Sequence, residues 1–188
     1  MPAFETKLRP SFDLTLEIPR PRKFTSGYME VMRKTAKEIT HFRAIEPLLK
    51  YVVNALQHDF HFYIASVFYY DQERQVAILL AQKGQSNYPP PIGFLQPIEC
   101  GFVGRTLREG VTLLVNEVDQ APEYVSPEGY WAAGSELCVP IQAKDKLWGV
   151  LNVESAEIEA FTYQDQLALE FIANQLGNTI YNLESQQQ

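Results

Sequence analysis

The spacing of apolar positions changes along the chain, and each change marks a predicted element. Residues 1–26 carry only a short alternation, Phe12, Leu14, Leu16 and Ile18, between helix-breaking Pro2, Pro10, Pro19 and Pro21. They read as an extended N-terminal arm. From Tyr28 the period lengthens: Val31, Met32, Thr35, Ile39 and Phe42 fall on one stripe of an amphipathic helix. Leu48, Leu49, Val52, Val53 and Leu56 form the apolar face of a second helix. Phe62 to Tyr70 is rich in aromatic and β-branched residues, and Asp71 to Arg74 reads as a turn into a returning strand, Gln75 to Gln82. Gly84 to Pro97 is a loop with room for one short strand. Gly101 opens a short helix that Gly110 stops, and Thr112 to Val115 is a short strand.

Asn116 to Gly134 is a long connection bearing Tyr124, Tyr130 and Trp131, and such connections commonly carry function. Ser135 to Gln142 and Leu147 to Ser155 make a second hairpin around Lys144 and Asp145. Thr162 followed by Asp165 is a capping-box variant. The helix it starts runs to about Glu184, with Leu169, Ile172, Leu176, Ile180 and Leu183 on one stripe. Antiparallel strands between terminal helices predict an α+β fold: a central antiparallel sheet of about six strands with the N- and C-terminal helices on one face. Residues 27–188 then form a single domain.

Composition narrows the class. The 188 residues are 46% hydrophobic and 21% charged, an ordinary globular balance. No apolar run approaches a membrane span and no apolar leader opens the chain, which predicts a cytoplasmic protein with no membrane partner. Cys100 and Cys138 are too few for a disulfide framework or thiolate cage. The net charge of −7 is uneven: residues 1–43 hold nine Lys/Arg against five Asp/Glu, leaving the body near −11. An acidic body repels phosphate backbones, so no nucleic-acid partner is expected.

Five stretches in order carry a family resemblance: Gly101-Phe102-Val103-Gly104-Arg105-Thr106; Leu114 to Val118; Ser135-Glu136-Leu137-Cys138-Val139-Pro140-Ile141; Trp148-Gly149-Val150-Leu151-Asn152-Val153-Glu154-Ser155; and Phe161-Thr162 with Asp165. Over roughly residues 45–184 they resemble the landmarks of a GAF domain. The resemblance implies a ligand pocket on the sheet face opposite the helices, roofed by the crossover loop. It also implies a sensory or dimerising role in a bacterial signalling protein.

Alternation gives that pocket a floor. Leu137, Val139, Ile141, Gly149, Leu151 and Val153 form the set suited to packing under the helices. Glu136, Cys138, Pro140, Trp148, Val150, Asn152 and Glu154 form the other. The two glutamates lie near the same end of the hairpin with no Arg or Lys partner on their strands. Burying them unpaired is costly. Either they accept backbone N–H groups of the Tyr124–Trp131 loop, or a ligand with donors, such as an ammonium, meets them. Tyr124, Tyr130 and Trp131, with Phe68, Tyr70 and Phe102, either line or plug the pocket, and Asn116 at the start of the loop joins the candidate binding residues.

Other chemistries fit less well. GAF-type free methionine sulfoxide reductases resemble this chain in the acids near Glu136, Asn152 and Glu154. Their thiol in the glycine turn falls on Val103 and their loop thiol has no counterpart between Asn116 and Gly134, so no enzyme activity is expected. The cyclic-nucleotide class is matched at Phe161 and Asp165, but Ser155-Ala156 replaces its Asn-Lys pair and Gln166 its final acid. Neither cysteine is followed by the histidine of a bilin site. His41, His58 and His61 lack helical metal spacing, and no cofactor or metal is implied.

The final helix keeps its apolar stripe to Leu183 and ends in a polar, uncapped tail, as in the sensory part of a longer signalling protein. Gly177 permits close helix approach, and the two terminal helices are expected to form a homodimeric bundle. The expected function is a non-enzymatic small-molecule sensor whose ligand occupancy is coupled to that bundle. The alternative is a ligand-free dimerisation or protein-interaction module with a filled pocket.

Overall fold

The computed structural model describes residues 26–85, 90–121 and 133–186. The anticipated arm lies outside the described residues, save for its last position. Helices α1 (Ser26–Ile39) and α2 (Ile45–His58) lead into strands β1 (Ile64–Asp71) and β2 (Val76–Gly84). After β3 (Leu95–Pro97) come α3 (Gly101–Glu109) and β4 (Leu113–Val115), then β5 (Ser135–Ala143), β6 (Lys146–Ser155) and α4 (Tyr163–Ser185). The strands form one sheet in the order β3-β2-β1-β6-β5-β4, every neighbour antiparallel. The α+β expectation of about six strands is met. No helix among the described residues is long and apolar enough to cross a membrane.

The helices pack as their stripes dictate. Leu48, Leu49, Val52 and Leu56 of α2 and Leu169, Ile172, Leu176 and Ile180 of α4 are buried against Leu137, Val139, Ile141, Leu151 and Val153 of the sheet. Helix α4 starts at the expected cap, with the Thr162 side chain accepting from the Asp165 N–H and Asp165 returning a bond to the Thr162 N–H. The Tyr28 hydroxyl donates to Asp165 Oδ1 at 2.8 Å, tying α1 to the same helix start.

The opposite face is partly covered by α3. Phe102, Val103 and Leu107 of α3 pack with Phe68, Leu79, Ile98, Cys138 and Val150 in a second apolar cluster. Gly110 ends this helix at φ 67°, a conformation glycine adopts without steric cost, and returns its N–H to the Thr106 carbonyl.

Two expectations are corrected. Trp148 does not face the pocket. The register shifts between Ile141 and Gln142, with Gly149 opposite Ile141 but Leu147 opposite Gln142, so Trp148 is the extra residue of a bulge. It turns into the helix-side cluster, where Nε1 donates to Glu184 Oε1 at 3.0 Å, and Leu147 takes the pocket side. The close approach at Gly177 is made to the sheet of its own chain: a Cβ there would lie 2.0 Å from the Gln142 carbonyl oxygen of β5.

Candidate functional site

Strands β5 and β6 place Glu136 directly opposite Glu154 and Cys138 directly opposite Asn152. All four residues leave the sheet on the face away from α2 and α4, because the intervening Leu137 and Val153 are committed to the helices. They form one hydrogen-bonded group. Cys138 Sγ lies 3.2 Å from Glu136 Oε1 and 3.2 Å from Asn152 Oδ1, so a single thiol hydrogen is shared between two acceptors. Asn152 Nδ2 donates to Glu154 Oε1 at 3.0 Å.

Burial sets the electrostatics. Glu136 is 6% exposed, Asn152 1% and Cys138 0%, while Glu154 is partly buried. Burial pushes the Glu136 carboxyl up to about 7, with the hydrogen bonds from Cys138 and Asn152 working against it. Burial and then the charge of Glu136 push Glu154 up to about 8, against its bond from Asn152. Burial first, and the neighbouring carboxylates second, drive the Cys138 thiol well up, so it is a hydrogen-bond donor and not a thiolate at neutral pH. Among the described residues no Lys, Arg or His pairs with either carboxyl. The donors are the thiol and the amide of the same face.

The polar floor extends further than the alternation of one hairpin predicts. Ser66 of β1 sits opposite Asn152 on one side and Gln82 of β2 on the other. Gln82 Nε2 donates to Ser66 Oγ at 3.2 Å, and Ser66 is fully buried. A row of polar side chains, Gln82, Ser66, Asn152 and Cys138, therefore crosses four strands. The signal available in sequence was a serine interrupting an otherwise apolar strand. Thr106 of α3, also fully buried, has no well-formed hydrogen bond at Oγ1 although it is near enough to ease the Cys138 thiol.

The remaining candidate residues are distributed unevenly. Phe68 and Phe102 are buried together in the apolar cluster beneath α3, which also holds Cys138. Tyr70 lies two residues beyond Phe68, about 7 Å further along β1, where its hydroxyl accepts from Gln75 Nε2 at 3.1 Å. It stands at the hairpin end and packs, partly buried, against the same apolar cluster. Asn116 follows Val115, the residue opposite Glu136; its carbonyl accepts the Glu159 N–H and its Oδ1 is buried without a partner. Tyr124, Tyr130 and Trp131 lie outside the described residues. No cluster of three or more metal-ligating side chains occurs among the described residues.

This architecture is a known one. A family model described as GAF domain matches residues 43–180. The chain belongs to the GAF domain family. GAF domains are a small-molecule-sensing and regulatory fold found in signalling proteins. No curated protein matches this GAF domain. Among solved structures it is similar to the GAF domain of a phosphoenolpyruvate-protein phosphotransferase from Coxiella burnetii, at 19% identity and a TM-score of 0.77, covering 86% of this chain and 96% of that one. It is also similar to part of a methyl-accepting chemotaxis protein, at 15% identity and a TM-score of 0.71, covering 81% and 98%. A third similar structure is the free methionine-R-sulfoxide reductase from Neisseria meningitidis in complex with its substrate, at 21% identity and a TM-score of 0.75, covering 86% and 92%. At these identities the likeness is one of fold. The reductase nevertheless overturns the expectation of a non-enzyme, because this GAF fold carries catalysis in a similar chain and gives no ground for excluding it.

Proposed function

We propose that this GAF domain binds a small molecule on the floor formed by Glu136, Cys138, Asn152 and Glu154, and that occupancy is read by the helices on the opposite face. The observation that carries this reading is the carboxyl pair, buried at Glu136 and partly buried at Glu154, whose side-chain donors among the described residues are one thiol and one amide, with no cation among those residues. Buried polar groups are normally satisfied, and a carboxyl pair that draws on a neutral thiol and amide suits a ligand that supplies further donors. The route to the helices is short. The same two strands that carry the floor bury Leu137, Val139, Ile141, Leu151 and Val153 against the helical layer, and α4 rests on the backbone of β5 at Gly177. A ligand that favours one placement of β5 and β6 thereby shifts the placement of α4.

Output through a homodimeric helix bundle, in a bacterial signalling protein of the cytoplasm, is part of the same reading. Its support is an apolar stripe that the domain leaves exposed on α4, Tyr163, Leu167 and Phe171 at four-residue spacing, with Met29 exposed on α1. The second reading is a ligand-free dimerisation or protein-interaction module. It is favoured by Phe68, Phe102, Val103, Leu107 and Val150, which already fill part of the face under α3.

A thermal-shift screen of amino acids, amines, nucleotides and organic acids tests the choice. Stabilisation that is lost in both Glu136→Gln and Glu154→Gln supports the receptor. A panel with no stabiliser, together with a dimer that Leu167→Glu and Phe171→Glu dissociate, supports the module instead.

A further inference from the structure

Helix α4 turns an uncharged row of side chains outward. Of its 23 residues none is Lys or Arg, Asp165 is buried, and Glu170 and Glu184 are partly buried. Tyr163, Leu167 and Phe171 stand exposed at four-residue spacing, so consecutive side chains are about 6 Å apart along the axis. Two further exposed apolar residues lie near the start of this helix. Ile158 is in the loop that leads into it, and Met29 is on α1 beside Tyr28, whose hydroxyl bonds Asp165 in the first turn of α4. Contiguous apolar surface of this kind marks a contact.

We propose that the occupant of this face is the chain's own N-terminal arm, with Phe12, Leu14, Leu16 and Ile18 seated over Tyr163, Leu167 and Phe171 of the same molecule. The spacings agree. Every second side chain of an extended segment falls on one side, about 6.6 Å apart, close to the repeat of the α4 row. Asp13, Thr15 and Glu17, which alternate with the apolar four, then face water. The reach is sufficient as well. Eight residues from Ile18 to Ser26 span at most about 29 Å. The row from Tyr163 to Phe171 is about 12 Å long and begins beside the start of α1. Charge favours the same seat: residues 1–25 hold five Lys/Arg against three Asp/Glu, and the α4 end of the domain carries Glu157, Glu159 and Glu170. A second copy is the competing occupant. A segment tethered through eight residues is held at an effective concentration on the order of millimolar, which a second copy matches only when the protein itself is that concentrated. The inference goes beyond the receptor reading and uses no part of the carboxyl pair. It adds that pairing of helices between copies must first displace the arm, so the arm raises the concentration at which a bundle forms.

The test uses the full chain with Cys100→Ser, which leaves only the buried Cys138. Leu16→Cys is combined either with Leu167→Cys in the row or with Lys37→Cys, an exposed position on α1 about 17 Å along the helix from Ser26 and equally within the tether's reach. Under mild oxidation the combination with Leu167→Cys should form a disulfide within one chain, identified by mass spectrometry of the monomer. It should form at least about tenfold faster than in the Lys37→Cys combination. Equal rates in the two combinations, no disulfide, or a disulfide only between chains each overturns the proposal. Self-association supplies a second readout that needs no new thiol. Leu14→Glu with Leu16→Glu removes the apolar contact, and Arg20→Glu with Arg22→Glu and Lys23→Glu reverses the charge. In sedimentation equilibrium each of these variants should dimerise at least about tenfold more tightly than the wild type. Dimerisation that they leave unchanged or weaken overturns the seat. A chain that stays monomeric in every variant removes the bundle alone, and the disulfide rates then decide the seat by themselves.

Discussion

Gly177 of α4 lies against Gln142 of β5 so closely that a methyl group on the glycine would stand 2.0 Å from the Gln142 carbonyl oxygen. A glycine inside a helix costs about 1 kcal/mol relative to alanine, and here that cost allows the helix to press on strand backbone. Gly177→Ala should therefore destabilise the domain by about 1 kcal/mol net, since forced overpacking costs about 1–3 kcal/mol and the gain in helix propensity returns about 1. Exposed Asn178→Ala, one residue on, should be neutral or slightly stabilising. Urea denaturation of both variants checks the contrast.

The carboxyl pair makes stability depend on pH in a particular direction. A carboxyl raised on folding binds protons more tightly in the native state, so its contribution is complete below the unfolded value near 4.5. It is lost as pH climbs through the folded values of about 7 and about 8. The wild-type melting temperature should fall between about pH 5 and 8 and level off above that. Glu154→Gln keeps an acceptor for Asn152 and cannot ionise, so it should flatten that fall and be the more stable protein at pH 9 by on the order of 2 kcal/mol. Scanning calorimetry across the range reads the slope directly.

The two thiols should differ sharply in reactivity. Cys138 is fully buried and its thiol is driven up, while Cys100 at the start of α3 is partly exposed. A disulfide reagent at pH 8 should titrate one thiol quickly and the second only as the protein unfolds. Cys100→Ser should remove the fast phase.

Removing the Cys138 hydrogen bond should act on its neighbour. That bond lowers Glu136 against the larger effect of burial, so Cys138→Ala should move the Glu136 titration above about 7, and Cys138→Ser should restore a donor. Carboxyl NMR of the two variants measures the displacement.

The bulge at Trp148 predicts a stability effect through α4. Its indole N–H reaches Glu184 and its ring meets Tyr69 edge-on at 5.3 Å. Trp148→Phe should cost about 1–2 kcal/mol through the lost hydrogen bond and lost volume, and Glu184→Gln less. Chemical denaturation of the pair tests this.

Element order, the two hairpins, the cap at Thr162 and the helix-side set Leu137, Val139, Ile141, Leu151 and Val153 were legible in the amino-acid sequence. Each rests on local periodicity or on turn and cap chemistry, which act over a few residues. The same alternation placed Glu136, Cys138, Asn152 and Glu154 on one face. It failed at Trp148, because a bulge shifts the pleat by one residue and a two-residue period has no term for it. Other features came from contacts between segments distant in sequence. Ser66 and Gln82 joined the floor only once β1 paired with β6 and β2. The role of Gly177 depended on which surface α4 meets. The acidity of the two glutamates was decided last, by burial and by their mutual proximity, since desolvation is a property of the assembled surroundings and not of any stretch of chain.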